Sequence, residues 1–245
     1  MGNAYSAEAL ALSESQSAAR AQETLAAVPC FANLPVHVQE AVAQVATHRH
    51  FDAGQIIYLE GEPATALFIL ERGWVKAARM SLEGREQALL FLKPCEVFGD
   101  VAIFTDTPYP ATVMALEPVE VWAIDKSAIL DLVARHNELA VAVIRHLAGR
   151  VLYYVGLVED LSLRSVEARL AHTLLSHIEG DGDRLVVPRR TWTTFDEMAT
   201  RLGTVRDVLS RALRTLEQEG LLKVERHQIV ILDPAGLATR GDQYG

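Results

Sequence analysis

The chain lacks most of the features on which secreted, membrane-embedded and metal-cluster proteins depend. It has only two cysteines in 245 residues, Cys30 and Cys95, too few and too far apart for a disulfide framework or an all-cysteine metal site. No apolar run approaches the roughly 20 residues that cross a bilayer. The N-terminus has neither the basic nor the apolar region of a secretory signal. We therefore expect a cytoplasmic protein that makes no membrane contact.

Recognisable catalytic motifs are lacking as well. The sequence contains no nucleophile elbow, no P-loop, no H-E-x-x-H segment and no paired carboxylates in a known arrangement. We therefore do not expect an enzyme.

Positive charge is also scarce, since the net charge is −9. The deficit lies in residues 1–161, whereas residues 162–245 carry twelve basic and twelve acidic side chains. Within residues 189–227, eight basic side chains outnumber six acidic ones. Because contact with phosphate depends on the local field, the C-terminal part can still bind nucleic acid.

The first half of the chain has the pattern of an antiparallel β-roll. Residues 1–27 are rich in alanine and polar side chains, and they are either partly disordered or an accessory helix. Short helices are predicted from Pro35 to about Ala46 and from Ser127 to about Arg135. Between them, over residues 48–124, short apolar runs alternate with turn signals about every 8–12 residues, which is typical of a barrel or double-sheet roll.

A long helix is predicted to begin at about Asn137. Its apolar residues recur at alternating spacings of four and three, the pattern of the a and d positions of three heptads. This heptad stripe consists of Ala140, Ile144, Leu147, Val151, Tyr154, Val158 and Leu161. A surface helix on its own roll is the alternative, but such a helix normally buries a wider face. The pattern favours a coiled coil between two copies of the chain.

The last third of the chain carries the signals of a winged helix-turn-helix. Ser165 is predicted to cap a helix through about His177, residues 179–183 a turn, and residues 185–187 a strand. A capping box, Thr194-x-x-Glu197, predicts a short helix to Leu202. After the turn at Gly203, Thr204 is predicted to cap a second helix with Asp207 at its third position. Residues 222–225 and 229–232 predict the hairpin wing.

The second of these helices has two different faces. Val205, Leu209, Ala212, Leu213 and Leu216 are predicted to face a core, whereas Arg206, Asp207, Ser210 and Arg211 lie on the opposite side. Arginine can hold guanine with two hydrogen bonds, and a carboxylate can accept one from cytosine. These four side chains are therefore candidates for contact with bases in a major groove. Thr194, Thr204, Arg189 and Arg190 are candidate phosphate contacts.

From about residue 28 to residue 237, the chain resembles the CRP/FNR superfamily of bacterial transcription regulators. The resemblance rests on Gly54-x6-Gly61-Glu62, Leu67-Phe68-Ile69-Leu70-x2-Gly73, Val97-Phe98-Gly99-Asp100 and the helix-turn-helix at 194–218, in the family's order and spacing. It implies an α+β fold with an N-terminal antiparallel β-roll of the cyclic-nucleotide-binding type (28–136). A dimerisation helix (137–161) and a winged helix-turn-helix domain (162–245) follow, and residues 1–27 form an N-terminal extension.

The effector region departs from the pattern of the cyclic-AMP-binding members. Those members carry an Arg-Ser pair after the Gly-Glu pair, and the arginine grips the cyclic phosphate. Here the pocket positions are Gly99, the shorter acid Asp100, Pro110 and Ala111, and the last two cannot supply the charge-assisted partner that a buried phosphate needs. The sequence therefore predicts a signal other than cyclic AMP. Residues 107–112 look like the branch of FNR oxygen sensors and nitric-oxide-responsive regulators.

Two cysteines cannot supply the four thiolates of the FNR iron–sulfur cluster, so no such cluster is expected. Haem, as a sensor of nitric oxide or carbon monoxide, stays open. His48 and His50 alternate on one strand and share a face, which makes them the first candidate ligands, with His146 third. A surface or hydrogen-bonded role is the alternative for each histidine. A redox role for Cys30 or Cys95 is also open, against that of a small buried hydrophobe.

Residues and resemblance together predict a homodimeric regulator that binds a pseudo-palindromic promoter, its two recognition helices about 34 Å apart. A signal in the roll would shift the hinge near residues 161–165 between pre-existing states. RNA polymerase is a further expected partner. The alternative is a cyclic-nucleotide-binding regulatory module without DNA contact.

Overall fold

A computed structural model describes residues 17–80, 86–181, 184–188 and 194–242. The chain divides into two compact units, Met1–Gly149 and Arg150–Gly245. Each unit has its own cluster of buried apolar side chains.

The first unit is the antiparallel β-roll that the sequence predicts. Its strands are β1 (Ala46–Phe51), β2 (Ile56–Tyr58), β3 (Ala66–Arg72), β4 (Val75–Met80), β5 (Glu86–Leu92), β6 (Val97–Phe98), β7 (Thr112–Ala115) and β8 (Val119–Asp125). They form two four-stranded sheets with the orders β1-β8-β3-β6 and β2-β7-β4-β5. Strands β3 and β8 are almost continuously buried, as expected of strands covered on both faces.

Two helices at the start of the described chain pack against this roll. Helix α1 (17–27) contributes Ala21 and Leu25 to the core of the roll, and helix α2 (Val36–Val45) contributes Val38 and Val42. The described part of the N-terminal extension is therefore a packed accessory helix, the second of the two alternatives for residues 1–27.

The turn between β3 and β4 requires glycine at position 73. Gly73 has a φ of 85°, a conformation that other residues adopt at a cost. A Cβ atom there would also lie 2.7 Å from the Pro118 carbonyl oxygen and 2.7 Å from Val119 Cγ1. Steric fit thus explains this glycine of the family pattern without a ligand.

Three helices complete the region around the roll, namely α3 (Asp100–Thr105), α4 (Lys126–Arg135) and α5 (Asn137–Leu163). Helix α5 confirms the predicted long helix. By length and composition alone, its segment Asn137–Gly156 could cross a membrane. One such helix is weak evidence for a span, because helices of soluble proteins pass the same test.

The second unit contains α6 (Val166–Leu175), β9 (Glu179–Asp181), β10 (Arg184–Pro188), α7 (Phe195–Arg201), α8 (Arg206–Gln218), β11 (Leu222–Val224), β12 (Gln228–Ile231) and α9 (Pro234–Gly241). Its sheet has the order β11-β12-β10-β9. Ser165 caps α6 as predicted, since its side chain accepts a hydrogen bond from the Ala168 amide. Buried Arg169 donates to the carbonyl oxygens of Leu202 and Arg164, at 3.0 and 2.9 Å, and so ties α6 to the end of α7.

Several local predictions in this region were wrong. Residues 179–181 form strand β9, not a turn, because β10 offers them an antiparallel partner. Helix α8 begins one residue later than predicted, with Val205 as the N-cap and no side-chain cap. Thr204 is therefore not the cap, and Asp207 occupies the second helical position, not the third.

Candidate DNA-binding surface and effector region

The capping box at the start of α7 is formed as predicted. The Thr194 side chain accepts a hydrogen bond from the Glu197 amide at 3.2 Å, and the Glu197 carboxylate accepts one from the Thr194 amide at 2.9 Å. These bonds satisfy two of the amides that a helix start leaves unpaired. At the other end, Gly203 has a φ of 60°, and the Thr204 amide donates to the Ala199 carbonyl at 2.9 Å. The turn into α8 is thus well defined.

Helix α8 buries one face and exposes the other. Leu209, Ala212, Leu213 and Leu216 are at most 4% exposed, which confirms four of the five predicted core positions. Val205 was predicted to face the core but is 64% exposed. The reason is its N-cap position, where the backbone is still extended (φ −110°, ψ 156°) and the helical periodicity does not yet apply.

The predicted base-contacting side chains lie on the outer face of α8. Arg206, Asp207 and Arg211 are exposed and Ser210 is half-buried. Arg206 Nη1 lies 3.0 Å from Asp196 Oδ2 on α7, a partner that the sequence did not reveal. Both side chains of this ion pair are more than half exposed. Because such pairs contribute little, Arg206 can leave Asp196 for a stronger partner.

Two of the four candidate phosphate contacts, both threonines, lie among the described residues. Thr194, the N-cap of α7, is exposed, and Thr204, in the turn between α7 and α8, is half-buried. The Thr194 hydroxyl oxygen is used in the capping box, but its second lone pair and its proton can still serve a phosphate. Arg189 and Arg190 lie outside the described residues.

The effector region is built around a short helix that the sequence did not predict. Gly99 is the N-cap of α3 with a φ of 79°, and Asp100 is the first helical residue. Asp100 is 2% exposed, and its Oδ2 lies 3.2 Å from Nε2 of His146 on α5. The acidic residue of the family pattern is therefore engaged by a histidine of the long helix.

A tyrosine occupies the core next to Pro110 and Ala111, the two positions that bind the phosphate in cyclic-AMP-binding members. Tyr109 is 3% exposed, and its ring stacks on Tyr58 with centroids 3.7 Å apart. Its hydroxyl donates to the Ala66 carbonyl oxygen at 2.6 Å and accepts from the Ala66 amide at 3.1 Å. Pro110 is exposed and Ala111 is buried. Tyr109 is thus fixed in the core immediately before Pro110 and Ala111, the positions at which the cyclic-AMP-binding members carry the arginine and the serine.

The histidines predicted to lie on β1 have polar surroundings. His48 and His50 share a face of β1, opposite Trp122 and Glu120 on β8. His48 Nε2 lies 3.1 Å from Glu71 Oε2 and 3.5 Å from Glu120 Oε2, while His50 Nε2 lies 3.3 Å from Asp52 Oδ1. A carboxylate-rich setting differs from the apolar pocket that holds a haem. His146, the third candidate, is bonded to Asp100.

The heptad stripe of α5 is largely exposed. Ile144, Val151 and Val158, which are one heptad apart, are 65%, 60% and 61% exposed. Tyr154 is 37% exposed, and Leu147 is half-buried. The side chain of Leu161 lies outside the described residues. A different side of α5, with Leu139 and Val143, packs on the core of its own roll, as the alternative interpretation expects. The coiled coil between two copies stays a prediction.

Comparison with known proteins places this arrangement in a family. The chain matches the cyclic nucleotide-binding domain family over residues 48–136 and the Crp-like helix-turn-helix domain family over residues 168–240. It is 30% identical over 196 residues to the transcriptional regulator LdrP from Thermus thermophilus, covering 77% of this chain and 94% of that relative. The chain belongs to the CRP/FNR family of transcriptional regulators.

Two other proteins are similar to this CRP/FNR regulator, one in sequence and one in structure. It is 28% identical over 192 residues to the CRP-like cAMP-activated global transcriptional regulator of Mycobacterium tuberculosis, covering 78% of this chain and 86% of the relative. The structure of FixK2 from Bradyrhizobium japonicum covers 82% of this chain and all of its own, at a TM-score of 0.69 and 21% identity. This second likeness shows the shared fold, which is the predicted β-roll followed by a winged helix-turn-helix.

Proposed function

We propose that this CRP/FNR regulator binds DNA as a homodimer, with α8 as the recognition helix in the major groove. The observation that carries the proposal is the outer face of α8, where two arginines, a carboxylate and a hydroxyl project from a helix whose other face is buried. The winged unit around it supplies the usual frame for such a helix. Contact through one charged strip explains how a chain of net charge −9 can bind DNA.

Each side chain of this strip has a role that its chemistry suggests. Arg211 and Arg206 read guanine or contact phosphate, Asp207 accepts from cytosine or positions an arginine, and Ser210 reads a base edge. Thr194, Thr204 and Arg190 contact phosphates. Asp207 also lies in the first turn of α8, where a carboxylate interacts favourably with the helix dipole.

The exposed heptad stripe of α5 supports the dimer. Three apolar side chains spaced one heptad apart would stay in water in a single chain, whereas a second copy of α5 would cover them. Two-fold pairing matches a pseudo-palindromic site, on which the half-sites are one DNA turn apart.

We further infer that the signal is not cyclic AMP bound in the usual mode. The pocket positions hold Pro110 and Ala111, the adjacent Tyr109 is committed to the core, and Asp100 is bonded to His146. Residues 107–112 support a place in the FNR and nitric-oxide-responsive branch. A haem-dependent sensor is the alternative within that branch, although the carboxylates beside His48 and His50 argue against these two residues as its ligands.

Fluorescence anisotropy tests the DNA-binding assignment. A duplex is first selected from a random library by the wild-type protein, and its affinity and that of a scrambled duplex are measured at one salt concentration. Arg211→Ala should weaken binding of the selected duplex by about 1–3 kcal/mol, or roughly 5- to 150-fold, with little change on the scrambled one. Arg135→Ala, which removes an exposed arginine from the other unit, is the matched control. Equal affinities of Arg211→Ala and Arg135→Ala for the selected duplex would contradict the assignment.

A further inference from the structure

A cluster of metal-binding side chains lies on the outer face of one sheet of the roll, apart from the effector region. His48 on β1, Glu71 on β3 and Glu120 on β8 each offer one ligand atom, and these atoms all lie within 4.8 Å of one another. The three strands are neighbours in the sheet order β1-β8-β3-β6. Adjacent strands of a rigid sheet therefore hold the three side chains.

A β-bulge brings the third member of this cluster into place. The pairing of β3 with β8 shifts register between Leu70 and Arg72, so that Glu71 is the extra residue opposite Glu120. Bulges bend a strand locally and re-aim a side chain. At this bulge, Glu71 Oε2 lies 3.1 Å from His48 Nε2.

The distances from the His48 nitrogen to the two carboxylates suit a tetrahedral zinc ion. Bonds of about 2.0–2.2 Å from zinc to nitrogen and oxygen place neighbouring ligands about 3.3–3.5 Å apart. His48 Nε2 lies 3.1 Å from Glu71 Oε2 and 3.5 Å from Glu120 Oε2. The three side chains are 16–29% exposed, which leaves a path for an ion and for water as the fourth ligand. An imidazole with two carboxylates is a donor set that zinc accepts.

An arginine from helix α1 now neutralises the two carboxylates. Arg20 Nε lies 2.8 Å from Glu71 Oε1, and Arg20 Nη2 is bonded to Glu120. One guanidinium faces two carboxylates, although Arg72 opposite Glu120 adds positive charge nearby. A divalent cation would place two positive charges between the two carboxylates, whereas Arg20 places one there.

We propose that His48, Glu71 and Glu120 form a zinc-binding site that competes with Arg20. When zinc binds, the carboxylates leave the guanidinium, and the N-terminal end of α1 loses its ionic attachment to the sheet. Ala21 and Leu25 stay in the core, so the helix loosens at one end and does not detach. The site thereby links the cation to helix α1.

Neighbouring side chains support this site and can report on it. The Thr24 hydroxyl donates to Glu71 Oε1 at 3.3 Å and accepts from Trp122 Nε1 at 3.2 Å, and such outer partners orient metal ligands. The Trp122 ring also packs against His48, with centroids 4.8 Å apart. Zinc at His48 should therefore change the fluorescence of Trp122.

Isothermal titration calorimetry of the full-length, chelator-treated protein with Zn²⁺ tests the site. The wild type should bind one zinc ion per chain at this cluster, and His48→Ala should weaken that binding by at least about tenfold. His50→Ala is the matched control, because His50 shares the strand and face of His48 but pairs with Asp52, and it should leave the affinity unchanged. Absence of zinc binding, or equal losses in the two histidine variants, would overturn the proposal.

A second variant tests the competition. Arg20→Gln removes the guanidinium and should tighten zinc binding by about two- to tenfold, the range expected for losing exposed ion pairs. Zinc should also speed hydrogen exchange in residues 17–27 of the wild type and change its tryptophan fluorescence, with neither change in His48→Ala. Unchanged or weaker zinc binding by Arg20→Gln would show that the arginine and the metal do not compete, which refutes the coupling to α1.

Discussion

Cys30 lies in the segment after α1, partly buried against the core of the roll. Burial raises the pKa of its thiol from 9.0 to about 12, and the negative charge of Asp100 contributes to this rise. The thiolate is the reactive form of cysteine, so Cys30 should be inert near neutral pH. This setting favours a structural role for Cys30 over a redox role.

The raised pKa makes a prediction about stability at alkaline pH. Between about pH 9 and pH 12 the folded chain keeps the Cys30 proton and the unfolded chain loses it, so stability falls as pH rises through this window. Urea unfolding of the wild type and of Cys30→Ala should be compared at neutral pH and near pH 10. The stability of the wild type relative to the variant should fall by about 1.4 kcal/mol over this range. A constant difference would show that the thiol titrates normally.

Single residues also mark where sequence reasoning reached its limit. The exposed positions of Arg206, Asp207 and Arg211 followed from helical periodicity, since the opposite face had to be buried. The Arg206–Asp196 ion pair could not be predicted in this way, because it joins two helices. The periodicity of one helix does not determine how that helix is placed against another. The meeting of Arg20, His48, Glu71 and Glu120 depends on a bulge and on strand order, for which the sequence has no local signal.

Among the elements, helices with chemical signals at their ends were the most predictable. The capping box at Thr194 and the cap at Ser165 both formed as predicted. Helix α3 was missed because its six residues are too few to show a helical period. Strand β9 was missed because its Glu-Gly-Asp sequence has turn chemistry, and only the partner strand β10 makes it extended.

The exposed heptad stripe of α5 predicts that a charge at its centre prevents dimerisation. Val151 lies in the middle of the exposed stripe, so Val151→Glu would bury two carboxylates in a dimer, each at about 3–5 kcal/mol when unpaired. Light scattering after size exclusion should show a dimer for the wild type and a monomer for Val151→Glu. Arg145→Glu adds a carboxylate to the same helix outside the heptad stripe and should remain a dimer. A dimeric Val151→Glu with unchanged affinity would mean that another surface joins the two chains.

For the whole molecule, the two matched domain families describe a ligand-binding roll and a DNA-binding module on one chain. The charge is distributed accordingly, since the acidic excess lies in residues 1–161 and the remainder is neutral. Long-range attraction to DNA should therefore be modest, and under the proposed function the side chains of α8 supply the specificity. Under the same proposal, the roll recognises a signal other than cyclic AMP.

Cyclic AMP should neither bind to the wild-type protein nor change its affinity for DNA. Calorimetric titration with cyclic AMP should give no saturable binding, and the anisotropy titration with the selected duplex should give the same affinity with and without it. The reason is that a buried cyclic phosphate would find Pro110 and Ala111 in place of an arginine and a serine, with Tyr109 fixed to Ala66. The cAMP-activated relative from Mycobacterium tuberculosis is the positive control for both assays. If the wild type binds cyclic AMP saturably and Pro110→Gly binds it equally well, the ligand binds in a mode that does not depend on this segment. If cyclic AMP also changes the affinity for the selected duplex, cyclic AMP is the signal after all.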